Sequence, residues 1–250
     1  MHTVTEHKLA RADKALVDFI YCFSSVKNLS EMEEGVIIPN GRIDLFFSKT
    51  TDGQFHVSLV GLETKPKLIS KKDIDCFFAV NFNPLAVEYI FQFPISDILN
   101  KEKKLQDNFF GIGPEDLNNF DMFCEKISRK VTSLLPGEID ERKRNLFKLI
   151  FETNGEISVK ELSEKVSWSA RQMNHYFNLQ FGLSLKAYCN ILRFQASLPY
   201  IKAGNLFPQF NFYDQSHFIK ESKKLSGASP KELYKNINSR FLQFSVIETD

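Results

Sequence analysis

The chain has few of the residue types from which metal sites and catalytic centres are built. Its 250 residues include four cysteines, five histidines and one tryptophan. Cys22, Cys76, Cys124 and Cys189 lie far apart, with no Cys-x-x-Cys and no neighbouring histidine pair. That spacing suits neither a disulfide framework nor a zinc site, and reduced, mostly buried thiols are expected. The first half has only His2, His7 and His56, too dispersed for a histidine cluster, so no metal or other cofactor is expected. Gly-x-Ser-x-Gly, a glycine-rich phosphate loop and a paired catalytic histidine are all missing, and the chain is expected not to be an enzyme. Long apolar runs are missing too. Val36-Ile37-Ile38 and Leu45-Phe46-Phe47 fall far short of the roughly 20 residues of a membrane span, and the N-terminus lacks a basic-then-apolar signal pattern. The expectation is a cytoplasmic protein with no membrane partner.

An excess of one charge is also lacking, with 32 basic residues against 31 acidic ones. The balance conceals two unlike halves. Residues 1–137 carry 16 Lys+Arg against 19 Asp+Glu, whereas residues 138–250 carry 16 against 12. Within 158–240 the ratio steepens to 12 against 5. A basic module joined to a neutral or acidic one has this profile, and so does a protein with one solvated lysine-rich face.

The texture changes near Pro136-Gly137. Before it, short apolar and aromatic runs (Val36 to Ile38, Ile43 to Phe47, Phe55 to Val60, Phe77 to Phe82) alternate with Asn40-Gly41, Asp52-Gly53 and Asn81-Phe82-Asn83-Pro84. Asp52-Gly53 between two such runs signals a hairpin. A mainly β, barrel-like or sandwich-like first domain over 1–135 is expected, with a helical piece around Ala15 to Phe23 and one closing helix over Pro114 to Leu135. In that helix Leu117, Phe120, Phe123, Ile127, Val131 and Leu134 recur at helical spacing, as core or as a homodimer face. Arg42 and Asp44, beside Asn40-Gly41, suit a polar pocket, an internal ion pair or a solvent-facing pair.

After the break the pattern is helical. Ser158-Val-Lys-Glu161, Ser169-Ala-Arg-Gln172 and Ser229-Pro-Lys-Glu232 each set Ser at an N-cap and Glu or Gln three residues on, fixing three helix starts. Glu141 to Thr153 reads as a further helix, stopped by Asn154-Gly155. Val159 to Gly182 then forms a unit: a short helix through Leu162 and Val166, a break at Ser167-Trp168-Ser169, and a helix burying Met173, Tyr176 and Phe177. This is helix-turn-helix patterning. On the opposite face fall Arg171, Asn174, His175 and Asn178, types suited to guanine, adenine and phosphate acceptors in the major groove. A polar helix surface with no partner satisfies that spacing equally well. Trp168 packs in the turn or meets a phosphate backbone.

Downstream, Ser169-x-x-x-Met173-x-x-x-Phe177-x-x-x-Phe181-Gly182-Leu183-Ser184-x-x-x-Tyr188-x-x-x-x-Arg193-Phe194 is followed by Phe212-Tyr213-Asp214-Gln215-Ser216-His217-Phe218 and Gly227-x-Ser229-Pro230-x-Glu232-Leu233. Together these resemble the AraC/XylS family of bacterial transcription regulators, over about the last hundred residues (Ile139 to Leu242). The resemblance implies a C-terminal DNA-binding domain over 136–250. Its first helix-turn-helix spans about 158–182, a linker helix about 185–202 and a second helix-turn-helix about 205–226. By the same likeness Gln215, Ser216 and Lys220 face bases or nearby phosphates, and Lys223 and Lys224 contact the backbone. His217 lacks a second metal ligand and is expected to pack or to touch DNA. Three features depart from the family pattern: Pro199 inside the linker helix, expected to kink or end it; Leu206-Phe207-Pro208-Gln209-Phe210 where the second unit needs its first helix; and Ser222 in place of a core Phe.

The first half has a weaker likeness, carried by Ile38 to Phe47, Val60-Gly61, Phe78 to Pro84 and Leu99 to Leu105, to an uncharacterised N-terminal domain of some members. It implies a sensory or dimerising role. The fold expected is therefore α+β in two domains, a barrel-like β domain with flanking helices and an all-α domain of two helix-turn-helix units. The function expected is sequence-specific binding of double-stranded DNA, with a small-molecule or protein effector, a second copy of the chain and RNA polymerase as further partners. The alternative is an enzyme or ligand-binding module in the first domain, with the basic half as its targeting module.

Overall fold

The computed structural model describes residues 6–27, 35–69, 74–236 and 241. His2 and Leu242 lie outside the described residues. The strands, in chain order, are β1 (Glu6–Arg11), β2 (Ile20–Lys27), β3 (Gly35–Ile37), β4 (Ile43–Thr50), β5 (Phe55–Val60), β6 (Lys67–Ile69), β7 (Ile74–Phe82) and β8 (Glu102–Lys104). The α-helices are α1 (Phe120–Leu134), α2 (Glu141–Glu152), α3 (Val159–Val166), α4 (Ala170–Phe181), α5 (Leu185–Lys202), α6 (Gln215–Ser226) and α7 (Pro230–Lys235). The chain divides into two compact units, and the cut is not a single point in the sequence. One unit comprises 1–33, 42–62 and 71–139; the other comprises 34–41, 63–70 and 140–250.

The first unit is an antiparallel sheet ordered β1-β2-β7-β4-β5-β8. Side chains alternate across a strand, so Leu45 and Phe47 of β4 share a face with Val80 and Phe78 of β7, their register partners. All four are fully buried. The apolar stripe of α1 covers that face: the Phe123 ring lies 5.4 Å from Phe47 and 5.2 Å from Phe78, both edge-on. Leu117, Phe120, Phe123, Ile127 and Val131 are buried within the unit, so most of the stripe serves as core. Asp52-Gly53 makes the β4–β5 hairpin, with Gly53 at φ +87°.

Three sequence expectations are corrected here. The sheet is open, not a closed barrel, because its end strands β1 and β8 pair only inward. Their sequences, Glu-His-Lys-Leu-Ala-Arg and Glu-Lys-Lys, are charged and largely exposed, as suits edges facing water. Ala15 to Phe23 is not helical: a 3-10 turn at Lys14–Leu16 gives way to β2, whose Ile20, Cys22 and Phe23 are buried between β1 and β7. Pro114 to Leu135 is two pieces. Pro114–Asn118 is a 3-10 turn, and Asn119, with extended backbone, caps α1 afresh by accepting from the amides of Asp121 and Met122.

Asp44 and Arg42 each meet defined neighbours in the sheet unit. The Asp44 carboxylate, buried, accepts from Asn81 Nδ2 at 2.5 Å, and Asn81 Oδ1 accepts from the Cys22 thiol at 3.1 Å. The guanidinium of Arg42 lies 4.4 Å from the Tyr21 ring centre, as does that of Arg11.

In the second unit α2 to α7 join the small β3–β6 ladder. The three serine caps form as their spacing requires. Ser158 accepts from the amide of Glu161, and Ser169 and Ser229 complete reciprocal boxes with Gln172 and Glu232. Asn154 and Gly155 stop α2 in the left-handed region, at φ +49° and +73°. α5 runs through Pro199 and stops within one turn, at Lys202.

Candidate nucleic-acid interface

α3 and α4 are joined by the three-residue break Ser167-Trp168-Ser169, the spacing expected of a helix-turn-helix. Ser167 takes φ +51°, which ends α3, and Ser169 starts α4 two residues later. Behind α4, Met173, Tyr176, Phe177 and Phe181 are buried, and the three rings pack on Phe147 of α2, at 5.6 Å between the Phe147 and Phe177 rings. Gly182, left-handed at φ +77°, closes the helix. This anchoring leaves Arg171, His175 and Asn178 exposed on one face, with Asn174 half-buried at its border. The two asparagines spend a donor each on their own helix: Asn174 Nδ2 donates to the Ala170 carbonyl at 3.0 Å and Asn178 Nδ2 to the Asn174 carbonyl at 2.9 Å. Reading an adenine edge with both groups of either amide requires that bond to be released. Gln172 is held by the cap.

Leu179, 53% exposed and one turn beyond His175, lies on the same face. An apolar group there suits a thymine methyl. Sequence reasoning passed over it because leucine reads as core; its position outside the Met173-Tyr176-Phe177 stripe was the available signal. Trp168 packs 5.2 Å from Tyr176 and lies under the guanidinium of Arg142 at 5.7 Å.

Of the second helix-turn-helix expected from the sequence, only the later helix is present. α6 begins at Asp214, whose carboxylate accepts from the His217 amide at 2.7 Å, and it buries Phe218, Ser222 and Leu225. Gln215, Ser216, Lys220, Lys223 and Lys224 are exposed, the latter four on the face opposite that core. Lys224 lies 3.6 Å from Glu221. His217 is half-buried against Phe212, with ring centres 6.0 Å apart, a packing role. The first helix expected near 205–210 is not there: no residue from 203 to 214 is helical. Pro208 removes an amide donor in mid-segment, and the backbone is tied elsewhere. The Asn211 carbonyl accepts from Arg193 Nη1 at 2.6 Å, and its amide donates to Glu156 at 2.8 Å. Phe210 packs edge-on against Tyr200 at 5.7 Å. Ser222 is fully buried and satisfied, donating to the Ala228 carbonyl at 2.8 Å, where Ser226 also donates at 3.0 Å.

Among the described residues, no group of three or more His, Cys, Asp or Glu is arranged to hold a metal, and no helix is long and apolar enough to cross a membrane.

Residues 9–103 match a family of domains of unknown function, DUF6597, over the stretch that carries the weaker first-half likeness. No curated protein matches in sequence. Solved structures similar to this chain include ToxT from Vibrio cholerae O395, at 10% identity over 92% of this chain and 96% of that one, with a TM-score of 0.45. Another is unsaturated-fatty-acid-bound wild-type ToxT from Vibrio cholerae strain SCE256, at 11% identity over 93% and 94%, with a TM-score of 0.41. Similarity at this level transfers no function to the chain.

Proposed function

We propose that this chain is a sequence-specific DNA-binding transcription regulator of the AraC/XylS type, in which α4 reads the major groove and α6 adds a second, more electrostatic contact. One observation carries the reading: a capped helix-turn-helix whose α4 exposes Arg171, His175 and Asn178 opposite a buried aromatic core. The excess of Lys and Arg over 158–240 and the lysines of α6 support it, since phosphate neutralisation supplies most non-specific affinity. α4 supplies more of the specificity than α6. α4 carries the side chains with base-reading geometry, whereas the exposed face of α6 is mainly lysine, a point charge without fixed hydrogen-bond direction. The sheet unit takes the effector or a second copy of the chain, RNA polymerase is a further partner, and the site of action is the cytoplasm. Catalysis is no part of this reading. Burial pushes the Cys22 and Cys189 thiols up to about 11 and Cys124 up to about 12, the opposite of what a nucleophile needs.

The test is selection of bound sites from a random duplex pool with the full chain, followed by affinity against salt. A recovered motif is expected, with log affinity falling linearly in log salt by about 0.9 per phosphate neutralised. No motif and a flat salt dependence overturn the proposal.

A further inference from the structure

β3, β6 and the segments that adjoin them, 38–41 and 63–66, form a ribbon that belongs to the helical unit. Asp44 pairs with Val60; eight residues before Asp44 and eight after Val60 stand Val36 and Leu68, which also pair. The segments 38–43 and 61–66 lie between the two ladders in sequence and pair with neither. Buried backbone groups must find partners, and in these segments they do. On the β4 side, the Pro39 carbonyl accepts from Gln195 Nε2 at 2.5 Å and the Gly41 carbonyl from the buried Tyr188 hydroxyl at 3.0 Å. On the β5 side, the Gly61 amide donates to the Lys101 carbonyl at 3.1 Å and the Leu62 carbonyl accepts from the Asn100 amide at 2.9 Å.

The α5 contacts leave no spare room. Gly41 sits at φ +72°, and a Cβ there would stand 2.9 Å from Leu192 Cδ2 and 3.3 Å from the Tyr188 ring. The Tyr188 ring also packs 5.4 Å from Phe177 on α4 and 6.4 Å from Phe147 on α2. At the far end, Pro66 of the ribbon lies 3.5 Å from the Cβ position of Gly227, the residue that caps α6. One ribbon thus touches the helix between the two recognition elements, a ring packed on the first, and the C-terminus of the second.

We infer that the ribbon is part of the DNA-reading device: Gly41 and Tyr188 are positioning residues that set α4 and α6 at the separation needed to enter successive major-groove segments. This inference rests on the DNA-binding reading above. It also supplies what the second unit lacks, because no first helix braces α6 and the ribbon stands at its C-cap instead. Segments 34–41 and 63–70 fall inside the span matched by the uncharacterised domain family, so that span contributes directly to the helical unit.

The experiment uses the full chain as wild type, Tyr188→Phe, Gly41→Ala and Gln195→Ala. Tyr188→Phe removes one hydroxyl, Gly41→Ala inserts a methyl, and Gln195→Ala removes the bond to Pro39. Each is titrated against the selected duplex, against the same duplex with one or two base pairs inserted between the contacted segments, and against a duplex holding the α4 segment alone. Folding is checked by circular dichroism. Wild type is expected to lose about tenfold or more on insertion. The variants are expected to bind the intact site about tenfold more weakly, to respond to insertion by less than about threefold, and to bind the α4 segment as wild type does. A purely structural role would weaken all three duplexes alike. If Gly41→Ala fails to fold, Tyr188→Phe and Gln195→Ala carry the test. Wild-type spacing discrimination in the folded variants, or equal weakening on every duplex, overturns this inference alone. Absence of any site preference in the wild-type chain overturns the DNA-binding reading and the inference with it.

Discussion

Gly155 lies where the α2–α3 turn meets the linker helix. A Cβ on Gly155 would stand 2.4 Å from the Cys189 carbonyl oxygen and 2.9 Å from Cys189 Cα, backbone atoms that cannot rotate away, and φ is +73°. Two costs follow from Gly155→Ala. Holding an L-residue in the left-handed region costs about 1–2 kcal/mol, and forcing a methyl into a packed helix contact costs about 1–3 kcal/mol more. The expected loss is about 2–5 kcal/mol, a large share of the roughly 5–15 kcal/mol that stabilises a domain. Gly204→Ala is the control, because Gly204 has φ +88° but its Cβ would meet only the Tyr234 ring, no closer than 3.5 Å. The assay is urea unfolding of the full chain followed by fluorescence of Trp168, the one tryptophan, which sits between α3 and α4 and so reports the helical unit. Equal losses for Gly155→Ala and Gly204→Ala would refute the contact argument and leave only backbone strain.

Ser169→Ala opens the capping box of α4 and is expected to cost about 1 kcal/mol by the same fluorescence assay; an unchanged midpoint contradicts that role for the box. Arg171→Ala is expected to relax base preference at one position by about 1–3 kcal/mol, while Lys220→Ala weakens all duplexes and lowers the salt slope by about 1. Competition binding against single-base variants of the selected site separates the two, and the reverse assignment would make α6 the main reader. Native Cys22, Cys124 and Cys189 are expected to react slowly with a disulfide reagent at pH 8 and quickly after denaturation; one fast native thiol among them would revive an enzymatic reading. The same burial has a pH consequence. Ionisation of Cys22 and Cys189 is easier in the unfolded chain, near 9, than in the fold, at about 11, so stability is complete below pH 9 and is lost as pH rises through that interval. Replacing both thiols by alanine should flatten the alkaline limb of a stability curve.

Local chemistry was legible wherever a structural feature lies within a few residues of sequence. The serine caps, the Asn154-Gly155 stop, the Asp52-Gly53 hairpin and the exposed face of α4 each depend on spacings of two to seven residues, and all appear where their residues stand. Ala15 to Phe23 differs from the helix its sequence suggests because a short apolar and aromatic run does not by periodicity alone separate strand from helix. Its strand identity comes from β1 and β7 on either side. Barrel closure was equally out of reach, because it depends on whether β1 finds a partner far along the chain. The Arg-Asn-His face of α4 was found by periodicity, but the return of Asn174 and Asn178 to their own helix, and the exposure of Leu179, required coordinates.

By itself, the sequence determined that a β-rich half precedes a helical half, where most helices start and stop, and which face of α4 is free for a partner. These are consequences of backbone capping and of the periods of helix and strand, which act over one or two turns. Tertiary structure alone decided that the stretch before α6 stays unwound, because its backbone partners, Arg193 and Glu156, come from α5 and from the loop after α2. It also decided that segments 34–41 and 63–70 belong with the helices. That membership rests on a glycine with no room for a methyl against Leu192 and a tyrosine hydroxyl 147 residues away in sequence, and contacts over such separations leave no local pattern.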